Sequence, residues 1–256
     1  MADRSDLRAS ATARRPSSPD RRRLALLVLC AGMLMIILDQ TIVNVALPSI
    51  QRDLGFSAAG LAWVVNAYLI AFGGLLLLAG RIGDLMGRRR VFLAGLAVFT
   101  VASLLCGLAT GPEMLIAARF VQGIGGALSS AVILGMIVML FPAPREQAWA
   151  IGVFSFVAAA GASIGVLAGG VLTQTLDWHW IFFVNVPVGV GTTVLARRLL
   201  ASDSGPGLRA GADAPGAVLV TAALMLGVYT IVDARSAALG VVAVALLAAF
   251  VARQAT

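Results

Sequence analysis

Apolar residues in this chain run almost unbroken for about 20 positions at a time, with no polar face recurring at a helical or a strand period. The runs fall near 24–48, 61–80, 91–109, 114–140, 149–172, 179–199, 216–233 and 237–252. At 1.5 Å per residue each crosses roughly 30 Å of hydrocarbon, so the pattern predicts eight membrane-spanning helices. A transmembrane barrel is excluded, because its strands alternate over about ten residues while these segments are apolar on every face. Connections such as Gln51-Arg52-Asp53, Thr110-Gly111-Pro112 and Pro142-Ala143-Pro144-Arg145 are short, polar or broken by proline, which predicts antiparallel neighbours. The longest connection, 201–215, divides a six-helix unit at 24–200 from a final pair of spans at 216–256. Residues 1–23 are rich in Arg, Ser and Pro, and the run after them is too long for the core of a cleaved signal peptide. They read as a disordered cytoplasmic tail.

Composition agrees with an all-α integral membrane fold, since 60% of residues are hydrophobic and 12% charged. The net charge of +7 does not indicate nucleic acid: every basic residue is Arg, and most lie in short turns or the tail. With the N-terminus inside, 16 of the 19 arginines fall on the cytoplasmic side. The positive-inside rule therefore puts both termini in the cytoplasm of a multi-pass cell-membrane protein. Cys30 and Cys106 lie inside apolar runs and read as small buried thiols. No metal cluster, nucleophile triad, cofactor loop or phosphate-binding loop is visible, so neither an enzyme nor an ATP-driven pump is expected.

Asp39 and Arg119 are the exceptions to the apolar pattern, and ionisable groups set so deep are costly and usually functional. Asp39 lies 16 residues beyond Arg23, roughly 24 Å up the first helix; Arg119, six residues into an inward-running helix, lies roughly 9 Å below the outer surface. Similar depth lets the two pair if helices one and four are neighbours. Protonating Asp39 would then release Arg119, an elementary proton-linked switch, although a static ion pair fits the same residues. Gln122 shares the face of Arg119 and is expected to bond to the pair or to cargo, and Asn44 is a second candidate for the cavity wall.

Two glycine-rich stretches complete the candidates. Gly80, Gly83 and Gly87 surround Asp84, with Arg88-Arg89-Arg90 after it. These are the parts of a movable latch, although an arginine run taken alone is more often a topological anchor than a gate. Gly152, Gly161, Gly165, Gly169 and Gly170 lie on the fifth span, and the middle three form a ridge at four-residue spacing that suits close helix packing.

The combination resembles the major facilitator superfamily, specifically its fourteen-helix drug:proton antiporters. Leu38-Asp39-Gln40-Thr41-Ile42-Val43-Asn44-Val45-Ala46-Leu47-Pro48 looks like the first-helix motif of those antiporters, and Gly80 to Arg90 resembles motif A, between helices two and three. Arg119 to Ala127 is similar to motif B, whose arginine is implicated in proton transfer. Gly152 to Gly170 resembles motif C, the antiporter motif, and Trp178 to Pro187 looks like the opening of helix six. Three positions depart from the pattern: Val166 replaces the usual proline, Leu85 a basic residue, and His179 an arginine. His179, the single histidine, lies between two tryptophans and reads as an interfacial anchor.

The resemblance covers about residues 24–253 and implies one six-helix bundle plus the two linking helices, with the second bundle absent. It further implies export of amphipathic organic compounds, such as drugs or antibiotics, driven by an inward flow of protons and needing no cofactor. Asp39 and Arg119 would couple the proton; Gly80, Asp84, Gly87, Arg88 and Arg89 would form the cytoplasmic gate. The expected partners are a small-molecule substrate, protons, the lipid bilayer and a second bundle from another chain. The competing expectation is a truncated, non-transporting protein or a half-transporter; a third is proton-linked nutrient uptake on the same fold.

Overall fold

A computed structural model of the chain describes residues 19–203, 205–207, 214–233 and 237–254. Of the expected tail, 1–18 lie outside the described residues, as do 204 and 208–213 of the expected linker. The described elements are α1 (Pro19–Leu54), α2 (Ala58–Met86), α3 (Arg88–Gly107), α4 (Pro112–Leu140), α5 (Pro144–Thr175), α6 (Trp180–Phe183), α7 (Asn185–Leu199), α8 (Ala214–Asp233) and α9 (Ala237–Gln254). All are helical, as the apolar runs predict, and no strand occurs among the described residues.

Local chemistry sets the boundaries. Ser57 caps α2 by accepting the Gly60 N–H at 3.0 Å. Pro112 and Pro144 stand in the first turns of α4 and α5, where a missing N–H costs nothing. Gly87 turns the chain between α2 and α3 at φ +97°, a conformation that other side chains resist. The sixth span is broken between α6 and α7, since Pro187 has no N–H to donate back to the Phe183 carbonyl. α1 starts at Pro19, so residues 19–23 of the expected tail are helical; Asp20 in the first turn suits the positive end of the helix dipole.

Among the described residues, six segments are long and apolar enough to cross a membrane: α1 to α5, and Trp180–Leu199 taken together. In the final pair, α8 and α9, the apolar stretches among the described residues are Leu219–Ile231 and Ala238–Arg253. The outer surface is apolar, with Leu27, Leu77, Phe156 and Leu167 exposed, as a lipid-facing surface requires.

Packing follows from small residues. α4 lies against both α2 and α3, α1 against α5 and α7, and α8 against α9 and α2. Of the 32 residues of α5, only Ala150, Gly161, Gly165 and Gly169 are buried. The three glycines meet α1: Gly161 at Leu34, Gly165 at Thr41 and Leu38, Gly169 at the backbone of Ile42. The ridge therefore has a partner. Gly152 and Gly170, which stand outside the ridge, face open space.

Inside the bundle are two apolar clusters. One contains Leu29 and Ile36 of α1, Phe92 and Phe99 of α3, and Ile133 and Ile137 of α4. The other contains Ile42 and Ile50 of α1, Cys106 of α3, Leu115 and Ala118 of α4, and Phe182 of α6. Asp39, Ser103 and the Arg119–Gln122 turn fall between the two sets on their respective helices.

Candidate functional site

Asp39 and Arg119 meet at that level, as their similar depth allows. The Arg119 Nη1 donates to Asp39 Oδ2 at 2.6 Å, and both residues are 1% exposed. Isolated, either charge would be very expensive in such surroundings. The cost is offset by a hydrogen-bonded set drawn from six helices, α1 to α4, α6 and α7.

Arg119 Nη1 also donates to Gln122 Oε1 at 2.6 Å, and Arg119 Nε to the Val64 carbonyl of α2 at 3.0 Å. Gln122 Nε2 donates to Asp39 Oδ1 at 2.8 Å and to Ser103 Oγ at 3.2 Å. Asn185 Nδ2 donates to the same Asp39 Oδ1 at 3.1 Å and to Ser103 Oγ at 3.0 Å. Ser103 Oγ in turn donates to the Phe182 carbonyl at 3.0 Å. The Arg119 guanidinium lies over the Tyr68 ring, 4.4 Å from its centroid, a cation–π contact strengthened by exclusion of water. Cys106 approaches Gln122 Oε1 at 3.6 Å, and both thiols are free and buried.

The two oxygens of Asp39 are thus held differently. Oδ1 accepts from two uncharged amides, while Oδ2 accepts from the guanidinium. Neutral donors keep the carboxylate oriented whatever its charge, whereas attraction to Arg119 exists only while Asp39 is ionised.

Gln122 is completely buried within this set, so it does not line an open cavity, which corrects one of the two cavity expectations. Asn44 is exposed, but its amide bonds back to the Gln40 carbonyl at 2.7 Å. Sequence reasoning missed Ser103, Tyr68 and Asn185 as members of the network. Asn185 carried a usable signal, since it is a polar residue within an apolar span two positions before Pro187.

At the opposite end of α2, Asp84 Oδ1 accepts from Arg88 Nη2 at 2.9 Å and Nε at 3.2 Å, and Arg88 Nη1 reaches the Gly135 carbonyl of α4 at 3.1 Å. Arg89 points elsewhere, donating to the Arg197 carbonyl at 2.7 Å. The expected Asp84 latch therefore unites Asp84 with Arg88 alone. Gly80 faces open space, while Gly87 lies beside Asp203. Asp203 follows α7, and its two carboxylate oxygens accept the backbone N–H groups of Arg88 at 2.6 Å and Arg89 at 3.0 Å. It thus caps α3 from 115 residues away, doing what Gly87 at the N-cap cannot. At the far end His179 stacks on Trp178 with centroids 3.8 Å apart, and its Nδ1 lies 2.9 Å from Asp177 Oδ1.

A helical bundle with an apolar exterior and a water-excluded charge network defines a multi-pass membrane protein. The profile of the Major Facilitator Superfamily matches residues 29–254, and the chain belongs to that family. Among curated relatives, the puromycin resistance protein pur8 of Streptomyces alboniger is 46% identical over 219 residues, covering 85% of this chain and 43% of the relative. The cephamycin export protein CmcT of Amycolatopsis lactamdurans is 43% identical over 221 residues, covering 86% and 46%. The chain thus spans less than half the length of these relatives. Of solved structures, a bacterial homolog of the human lysosomal transporter Spinster, inward-facing and unoccupied, matches with TM-score 0.60 at 19% identity, over 85% of this chain and 56% of that one. The human organic anion transporter MFSD10 matches with TM-score 0.61 at 17% identity, over 80% and 54%. At such identities these two likenesses establish the fold.

Proposed function

We propose that the chain is the amino-terminal part of a proton-driven exporter of amphipathic organic compounds, antibiotics among them, with both termini in the cytoplasm. The relatives named for puromycin resistance and cephamycin export support the cargo class. The observation that carries the coupling is the asymmetric hold on Asp39. Gln122 and Asn185 occupy Oδ1, so an incoming proton is directed to Oδ2, where it displaces Arg119 Nη1. Protonation leaves the guanidinium without its counter-charge in a water-excluded site, where an unpaired cation is costly. Arg119 then moves toward other acceptors, and α4 carries the displacement toward α2 and α3, against which it packs.

This bundle supplies one wall of a cargo cavity, and the facing wall belongs to a second bundle that rocks against it. The breakable contact of Asp84 with Arg88, half exposed and contributing about 0–1 kcal/mol, suits a cytoplasmic latch. The test is dye efflux together with internal pH, measured in vesicles holding a complete transporter that carries this chain. Asp39→Asn is expected to abolish the efflux that follows an imposed pH gradient. Undiminished proton-driven efflux in that variant overturns the assignment.

A further inference from the structure

A second polar site lies at the arginine-rich end of the bundle, far from the buried pair. A cavity of about 370 Å³, within the roughly 300–1,000 Å³ of small-ligand clefts, opens between the start of α1, the end of α4 and the start of α5. Arg22, Arg23, Phe141, Arg145, Glu146 and Trp149 line it. Three arginines against one glutamate leave an excess of positive charge. Arg22 Nη1 pairs with Glu146 at 3.0 Å, and its guanidinium lies over the Phe141 ring at 5.7 Å, so it is held in place at the cavity wall. Its Nε–H is nonetheless buried with no acceptor among the described residues. Such a donor calls for an acceptor that the protein does not supply. Arg23 and Arg145 are exposed, with no ion-pair partner among the described residues.

The cavity also lies at a particular height. Arg22 and Arg23 immediately precede Leu24 and Leu27, which are exposed and begin the apolar surface of α1. Trp149, half exposed, stands one helical turn after Arg145 on α5 and meets the Phe141 ring edge-on at 6.2 Å. Arginines directly above an apolar band, with a tryptophan at the boundary, match the headgroup layer of a bilayer. The geometry points to a binding site for the phosphate headgroup of an anionic phospholipid, whose phosphate oxygens accept from Arg22, Arg23 and Arg145 while its chains run down beside Trp149. A nucleic acid fits less well, since Phe141 and Trp149 add apolar surface to the rim that nucleotides would leave uncovered. Lipid bound here would tie the start of α1 to α5, which also meets α1 along the glycine ridge.

The test is a titration of the purified chain in neutral detergent micelles, read by native mass spectrometry. Phosphatidylglycerol is expected to be retained, and phosphatidylcholine, whose headgroup carries no net charge, to be lost. Arg23→Gln and Arg145→Gln, both at exposed positions, are each expected to weaken phosphatidylglycerol binding about fivefold. Arg90→Gln, at the same end of the bundle but outside the cavity, is expected to leave it unchanged. Equal retention of both lipids overturns the site, as does equal weakening by Arg90→Gln, which would indicate a diffuse charge effect. Inorganic phosphate or a short oligonucleotide that displaces phosphatidylglycerol at equimolar concentration overturns the lipid assignment.

Discussion

Replacing Arg119 by Met keeps most of the side chain's length while removing its charge and three hydrogen bonds, to Asp39, Gln122 and the Val64 carbonyl. What remains is a carboxylate 1% exposed, with two neutral amides and no counter-charge. Removing one partner of a buried pair costs about 3–5 kcal/mol, most of it from the charge left behind. Asp39→Asn in the same chain removes that charge while Gln122 and Asn185 still donate to its carbonyl oxygen. The double variant is therefore expected to regain about 2 kcal/mol relative to the sum of the two single changes. Unfolding in mixed micelles, followed by tryptophan fluorescence, supplies the four free energies of the cycle. A loss below about 1 kcal/mol for Arg119→Met, or single-variant costs that simply add, would refute the reasoning that the pair is a coupled, water-excluded unit.

Four further outcomes follow from the surroundings of particular residues. Asn185→Leu removes one of the two neutral donors on Asp39 Oδ1 and is expected to cost about 1–3 kcal/mol in the same unfolding assay, while leaving the Arg119 contact intact. Asp203→Ala uncaps α3, which is expected to cost about 1–2 kcal/mol and to speed hydrogen exchange at the Arg88 and Arg89 amides, with no change at Arg119. Gly165→Val drives a branched side chain into Thr41 of α1 and should cost at least about 1–3 kcal/mol. Gly170→Ala, in open space on the same helix, is expected to be neutral or stabilising by up to about 1 kcal/mol, which a melting comparison of the two variants resolves.

Much of this protein is legible in its sequence because a bilayer leaves few choices. The first six spans follow from run length, since backbone groups in hydrocarbon must be satisfied within a helix. Asp39 and Arg119 are paired by counting residues from each surface, and Gln122 joins them by its position three residues after Arg119. The glycine ridge announces close packing by its four-residue spacing, but not that its partner is α1. Asn185 is visible as a polar residue in an apolar span, but its partner, like that of Ser103, stays hidden for a physical reason. Single neutral polar residues carry no charge that demands a partner, and Asn185 reaches Asp39 across 146 residues. Asp203 is hidden likewise, because capping from a distant loop leaves no local pattern at Gly87. The helical start at Pro19 was within reach, since proline followed by an acidic residue is a start signal that the polar composition of the tail obscured.

Infrared difference spectroscopy of the protein in lipid, recorded as pH is lowered, tests most directly whether Asp39 carries the exchanged proton. With 12 Asp and Glu residues in the chain, the informative signal is the part of the protonated-carboxyl band that the native chain has and Asp39→Asn lacks. That part is expected to grow on acidification together with a change in guanidinium absorption that is also missing from the variant; identical difference bands in the two proteins, or a guanidinium signal that stays constant while the Asp39 component grows, would contradict the account.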